Sequence, residues 1–403
     1  MSPVPWRCVI SFLTVMLVVL TACSSGGSPE ASSKPSTTPE SGTQPGSSAG
    51  SSCDTPNVTV SGSPGQSTFA TDAKFVTALA WAPDGRLFFA ERAGTIKIAS
   101  GSTVKEFTTV RTVTGEKSGS YSERGLLGLA LSPDFSNDHF VYAFSSRDDY
   151  STQVVARFTE CAGEARDETT LVTLPSGADC CHKGGRLAFG KDGKLYVTLG
   201  DEHSVAKNTV GSTSSIPQDP NDVRGKILRY EPDGSIPSDN PFGADSPVWA
   251  TGFRNPFGIA FDTDGGTFAT SNGPTGDVGA PRTGYDLAFR VEAGGRYQWP
   301  ACYGYSHLLP GASSCLGRPE PEWSSEESTI VPTGATWVDH KGPAPYAGHF
   351  VFCSASGMRV FIPGSPHATL RDGPKECQLD VKEGPDHALY FSDETKIYRL
   401  GGA

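Results

Sequence analysis

Apolar side chains alternate with polar or small ones along much of this chain, and short Pro-Asp-Gly-like turns break the alternation. The clearest copies are Ala78-Leu79-Ala80-Trp81-Ala82-Pro83-Asp84-Gly85-Arg86-Leu87-Phe88-Phe89-Ala90 and Arg186-Leu187-Ala188-Phe189-Gly190-Lys191-Asp192-Gly193-Lys194-Leu195-Tyr196-Val197-Thr198. Others run from Leu129 through Pro133-Asp134-Phe135 to Tyr142, from Gly258 through Asp264-Gly265 to Ala269, and from Val381 through Pro385-Asp386 to Phe391. A sixth, weaker copy joins Ala335-Thr336-Trp337-Val338 to His349-Phe350-Val351-Phe352. Period-two alternation predicts strands, and Asp-Gly between β-formers predicts a hairpin. Six irregularly spaced hairpins predict an all-β chain: a six-bladed β-propeller of four-stranded antiparallel blades. Closing such sheets into a ring removes their exposed edges. The spacing is too loose for WD40 repeats, and a large pair of β-sandwiches remains the alternative. No amphipathic helix beyond short turns is predicted.

The N-terminus carries a different pattern. Arg7 precedes an apolar run from Val9 to Leu20, too short for a comfortable membrane span but long enough for a signal peptide. The run ends in Leu20-Thr21-Ala22-Cys23, which resembles a bacterial lipobox. Cys23 is therefore expected to be acylated and to become the new N-terminus; an ordinary signal peptide cut near Ala22 is the rival. The following stretch, to residue 52, is almost entirely Ser, Gly, Pro and Thr. It cannot bury a core and is expected to be a disordered tether. The expected organisation is thus a signal peptide over 1–22, a tether over 23–54 and the propeller over 55–403. The expected location is extracytoplasmic, with the lipid on Cys23 holding the chain to the cell membrane.

Composition adds little to this and charge excludes one class. The 47 glycines and 31 prolines of 403 residues suit short strands and tight turns. The formal charge is −11, and −12 once Arg7 leaves with the signal. An acidic chain without a basic run is not a nucleic-acid binder.

Of ten cysteines, Cys8 leaves with the signal and Cys23 is assigned to lipid. Eight remain, an even number that implies disulfides in an exported protein. Cys302 with Cys315 closes a short loop. Cys353 and Cys377 flank one predicted hairpin region. Cys180-Cys181 stays unassigned, and metal binding by cysteine is the rival reading, though no CxxC pair exists.

Three clusters carry candidate chemistry. His182, in Cys181-His182-Lys183-Gly184-Gly185-Arg186, lies in a turn before a predicted strand, and Asp201 ends the next one. Two antiparallel neighbours bring both to one end of a blade, where the carboxylate would orient the imidazole. Arg254 and Asn255, in Gly252-Phe253-Arg254-Asn255-Pro256, suit anion or carbonyl recognition. Asn272-Gly273-Pro274, with Asp286, offers backbone carbonyls and a carboxylate to a hard cation such as Ca²⁺. Structural turns are the plain alternative for each cluster.

Taken in order, these motifs resemble the glucose/sorbosone dehydrogenase family. The resemblance also rests on Glu123-Arg124-Gly125-Leu126-Leu127-Gly128, on Gly225-Lys226-Ile227-Leu228-Arg229 with Asp233-Gly234-Ser235-Ile236-Pro237, and on Tyr297-Gln298-Trp299-Pro300. It is dense over residues 70–300. It implies a six-bladed propeller that binds pyrroloquinoline quinone (PQQ) and Ca²⁺ and oxidises the anomeric hydroxyl of aldose sugars. It implies that His182 is the general base, that Asp201 holds it, and that Arg254 stabilises charge developing on the quinone. Glu123, Asn255 and Asn272 would contact the cofactor, and the Gly273 and Pro274 carbonyls with Asp286 would serve calcium. The Tyr297 carbonyl would belong to a second, structural calcium site. An acceptor of the respiratory chain would take the electrons.

The departures from the family concern the clamp on the tricarboxylate cofactor. Ser356 stands where a lysine is usual, and Cys377-Gln378-Leu379-Asp380-Val381 replaces an Arg-x-Arg-Asp-Val run. Glu123 replaces a glutamine, Leu287 an acid and Cys181 a polar residue before the base. Lys382 or Arg359 would have to compensate. Each lost charge-assisted contact is worth roughly 1.5–3 kcal/mol. The alternative reading is therefore a non-catalytic propeller that binds or scaffolds after losing its cofactor. A lactonase-like propeller hydrolase is a further one.

Overall fold

A computed structural model describes Cys53 and residues 57–71, 73–177 and 180–402. The signal segment, Cys23 and the tether apart from Cys53 lie outside the described residues. Six four-stranded antiparallel sheets follow one another around a ring, with one additional two-stranded ribbon, Cys302–Tyr303 against His307–Leu308. The innermost strands are Val76–Trp81, Leu126–Leu131, Leu187–Phe189, Pro256–Phe261, Pro332–Trp337 and Val381–Glu383, for blades one to six. Each of the six hairpins expected from the sequence forms the first two strands of one blade. Among the described residues, helix is confined to single turns such as Phe135–Asp138. Among the described residues no helix is long and apolar enough to cross a membrane.

The alternation explains how blades stack. In Leu87–Glu91, Leu87 and Phe89 join the apolar cluster shared with blade six, while Phe88 and Ala90 join the one shared with blade two. A strand buried on both faces thus sends successive side chains into two different wedges of core. Six such clusters fill the wedges between neighbouring blades around the ring.

The ring closes in blade six. Its outermost strand, Gly65–Ala70, comes from the N-terminal side of the chain and pairs with Ile397–Gly401 in the register Gly65↔Gly401 and Thr68↔Tyr398. Just before it, the Val58 amide donates to the Asp84 carbonyl at 2.7 Å, laying the chain on blade one's Pro-Asp-Gly turn. Only glycine serves at Gly85: its φ is +87°, and a Cβ there would sit 1.9 Å from the Val58 carbonyl oxygen. Cys53 is disulfide-bonded to Cys161 at the end of a blade-two strand. Beside it, buried Arg86 of blade one makes two 2.9 Å hydrogen bonds to Glu160 of blade two.

The other disulfides are Cys302–Cys315, Cys353–Cys377 and the adjacent pair Cys180–Cys181. The Cys302–Cys315 and Cys353–Cys377 pairings are those expected from the sequence, but the second does not sit within a single hairpin. Cys353 is in blade five and Cys377 is in the connection entering blade six, so the bond joins blades instead of bracing one hairpin.

At the centre, Arg186 acts as a tie-bar. Its buried guanidinium donates to the Thr77 carbonyl of blade one, to Leu127 of blade two at 3.3 Å, and to Leu379 at the entry of blade six at 2.8 Å.

Candidate active site

The loops that enter inner strands and those that leave second strands open on the same end of the ring. His182 precedes Leu187–Phe189 and Asp201 follows Leu195–Leu199. Arg254 and Asn255 precede Pro256–Phe261, and Asn272-Gly273-Pro274 follows Thr267–Ser271. Glu123 precedes Leu126–Leu131. Blades two, three and four therefore bring eight of the sequence candidates together.

His182 is buried, and its Nδ1–H donates to Asp201 Oδ1 at 2.5 Å. A carboxylate only accepts, so this bond fixes the tautomer and leaves Nε2 as the acceptor. Asp201 is saturated with donors: Oδ1 also accepts the His203 amide at 3.1 Å, and Oδ2 accepts Trp299 Nε1 at 2.8 Å. Its own amide donates to the Arg254 carbonyl at 2.7 Å, linking blade three to blade four. Gly200 makes the approach possible, since a Cβ there would lie 2.1 Å from the His182 carbonyl oxygen.

Asn255 organises a polar ring beside this dyad. Its Oδ1 accepts the Gly184 amide at 3.2 Å. Its Nδ2 donates to Glu123 at 3.3 Å and to Asn272 Oδ1 at 3.2 Å. Glu123 in turn accepts the Lys183 amide at 3.1 Å.

Arg254 is buried and engages Asp277 through Nε at 2.7 Å and Nη2 at 3.0 Å. Burial opposes ionisation of Asp277, but the hydrogen bonds and charge of Arg254 outweigh it and hold the carboxyl well below the usual carboxylate range. Asp277 carried no signal in the sequence.

The candidate metal ligands divide. Among the described residues, neither the Gly273 nor the Pro274 carbonyl accepts a backbone amide outside the strand ladders, which suits a cation. Asp286 is buried and takes three amides instead: Gly273 at 2.9 Å, Ile330 at 2.8 Å and Val331 at 2.9 Å. Burial pushes its carboxyl up, against these amides. Asp286 thus positions the Gly273-Pro274 turn through the backbone. The Tyr297 carbonyl accepts Gln218 Nε2 at 2.6 Å, and the same nitrogen donates to the Trp299 carbonyl at 2.7 Å. A neutral amide takes that carbonyl. Among the described residues no group of three or more His, Cys, Asp or Glu is placed to hold a metal.

A largely apolar cavity, with about 640 Å³ of empty space counting its open mouth, lies over the ring centre beside Glu123 and Asn272. Tyr121 and Val331 form its exposed lip. Its cations are Arg92 and Arg186, which the sequence reading missed. Arg92 donates to the Arg124 carbonyl at 2.9 Å, to Thr114 at 2.8 Å and to Ser122, so its guanidinium serves the loop as well as the cavity. Of the departures at the clamp, Leu379 lines the cavity and Ser356 does not. Lys382 donates to the Ala335 carbonyl at 2.5 Å, and Arg359 pairs with Asp372 at 3.2 Å. Neither lines the cavity.

The family profile described as Glucose / Sorbosone dehydrogenase matches residues 74–399. The chain is 33% identical over 256 residues to quinoprotein glucose dehydrogenase B of Acinetobacter calcoaceticus, covering 57% of this chain and 50% of that protein. It is 27% identical over 304 residues to aldose sugar dehydrogenase YliI of Escherichia coli, covering 68% of this chain and 76% of that one. The match thus spans half the length of the first relative and about three quarters of the second. The PQQ-bound aldose sugar dehydrogenase of Streptomyces coelicolor superposes with a TM-score of 0.64 at 26% identity, over 83% of this chain and 97% of that one.

Proposed function

This chain belongs to the glucose/sorbosone dehydrogenase family, and from that premise we propose that it oxidises the anomeric hydroxyl of aldose sugars to lactones, with PQQ and Ca²⁺ as cofactors. The observation that carries the reading is the buried His182–Asp201 pair set beside Arg254, Asn255 and the Gly273-Pro274 turn. When bound, PQQ would supply the hydride acceptor and Ca²⁺ a Lewis acid to polarise the quinone carbonyl. His182 Nε2 takes the proton of the sugar hydroxyl, and Asp201 holds the imidazolium that results. Arg254 supplies fixed positive charge where negative charge develops, and its pairing with Asp277 keeps it in place. Asn255 and Asn272 would hold the cofactor's reactive edge, and the Gly273 and Pro274 carbonyls would hold the calcium.

The residues fit the cofactor at this reactive end. At the carboxylate end the cavity offers Arg92 and Arg186, both engaged with backbone carbonyls. That thinness is what favours the second reading, a propeller that binds sugars or partners without redox chemistry. Adding PQQ and Ca²⁺ to the full chain separates the two. The dehydrogenase reading expects quinone binding by calorimetry and dye reduction with at least one aldose. Absence of both overturns it.

The chain's placement belongs to the same proposal. Acylation of Cys23 anchors it outside the cytoplasm, and electrons pass to a respiratory acceptor. Cys23→Ala is expected to move the protein from the membrane fraction to the soluble one; a membrane-bound variant refutes the anchor.

A further inference from the structure

A second imidazole lies against the first. The ring centroids of His182 and His203 are 3.7 Å apart, with the planes tilted by 56°. Reaching this position needs an unusual backbone. His182, Glu202 and His203 all have positive φ, at 60°, 55° and 52°. Such conformations cost energy in non-glycine residues and persist where the surroundings fix them.

Here the surroundings do so from behind. The Glu202 carboxylate, buried below the loop, accepts Gln153 Nε2 at 2.8 Å, the Gly177 amide at 2.9 Å and Lys183 Nζ. The His203 amide is held by Asp201 Oδ1, the same oxygen that receives the His182 ring. The Ser204 amide closes the turn on the Asp201 carbonyl at 2.9 Å. These bonds fix the loop with the His203 ring against His182. On the open side His203 shares a basin with Lys207 and Asp277.

One hydrogen bond at Nδ1 fixes the tautomer of His182 but leaves the ring free to tilt about it. A ring packed on one face removes that freedom. We infer that His203 is a positioning residue for the base: it holds the His182 imidazole in the plane that aims Nε2 at the substrate, and it keeps water off the Nδ1–Asp201 bond. The inference rests on the dehydrogenase reading for its kinetic consequence, but not for its structural one.

The test uses the full chain. In the apo protein, the His182 Nδ1–H shielded inside the Asp201 bond is expected to give a resolved downfield proton resonance, identified by its loss in His182→Gln. In His203→Ala and His203→Gln that resonance is expected to broaden into solvent exchange, and in His203→Phe it is expected to return. With PQQ, Ca²⁺ and aldose, the Ala and Gln variants are expected to lose roughly ten- to a hundredfold in kcat with KM little changed, the scale of a small misplacement of a reacting group, and Phe to recover most of it. An unchanged resonance in both ringless variants, or no recovery in Phe, overturns the inference. Two ringless variants guard against one that fails to fold, checked by the melting transition. A wild-type chain that shows the resonance but never reduces the dye removes the dehydrogenase reading and leaves the positioning of His182 standing.

Discussion

Restoring one cation at the cavity is expected to tighten PQQ binding. Leu379 is the position to change. It lines the cavity, it stands where the family carries the second arginine of its clamp, and its carbonyl already receives Arg186 at 2.8 Å. In Leu379→Arg the new guanidinium reaches into a cavity whose own cations are tied to carbonyls. One charge-assisted contact to a cofactor carboxylate contributes about 1.5–3 kcal/mol. That corresponds to a dissociation constant lower by about ten- to 150-fold. Two features work against the gain. Arg186 is a like charge nearby. Asp380 presents a buried Oδ1 without a hydrogen bond, 3.7 Å from Lys382 Nζ, and can attract the new side chain. The expected result is therefore the lower half of the range, about tenfold. The assay is calorimetric titration of PQQ at fixed calcium and ionic strength, with Leu379→Gln as the uncharged control of similar reach. An arginine variant that binds no better than the glutamine one refutes the account of an eroded clamp.

Four other outcomes follow from the geometry. Asp201→Asn leaves the His182, His203 and Trp299 donors facing a neutral amide; steady-state kinetics should show kcat reduced about ten- to 150-fold, the worth of one charge-assisted bond, and an unaffected rate removes Asp201 from its role. Burial pushes the Glu202 carboxyl up to about 7 despite Lys183. The folded chain then keeps a proton that the unfolded one has released, so this contribution to stability is full below the ordinary glutamate range and is lost as pH rises through 7, by at most about 3 kcal/mol. Melting temperatures between pH 4.5 and 8 should show that decline in wild type and not in Glu202→Gln. Arg186→Met strands buried carbonyls of three blades and is expected to destabilise by about 3–5 kcal/mol in denaturant unfolding; a loss under 1 kcal/mol refutes its role as a tie-bar. Replacing Cys53 and Cys161 with serine opens a loop of sequence separation 108, which in the chain-entropy picture costs about 4–5 kcal/mol, read as a lowered denaturant midpoint.

The parts of the fold legible in the sequence were those written into short stretches. Each Pro-Asp-Gly-like turn encodes one hairpin locally, and six of them supply the first two strands of every blade. His182 and Asp201 were legible for the same reason, since one hairpin puts both at its open end. Features made by distant parts of the chain were not. Gly65–Ala70 is exposed over most of its length, so it lacks the alternation that marks a strand, yet it closes the ring. Trp299, Gln218, Asp277 and His203 act through loops that meet only once the blades are stacked. Arg186 lies in the same short motif as His182, but its task depends on carbonyls 59, 109 and 193 residues away. The joining of Cys180 to its neighbour Cys181 could not be deduced from spacing at all.

The Cys53–Cys161 bond has a mechanical consequence. Gly65–Ala70 is held to blade six by a ladder of hydrogen bonds and by the packing of Phe69 and Ala70 at its far end, and a pull along the chain from its N-terminal side would unzip the exposed part of such a strand one pair at a time. The disulfide intercepts that load. It transfers tension covalently into a ten-residue strand of blade two, Thr152–Cys161, paired on both sides, before the tension reaches the closing strand. Shear across that sheet resists far better than peeling at an edge. The ring can thus be tugged from its leading end without being opened, and severing this one bond moves the weakest point of the molecule to its seam.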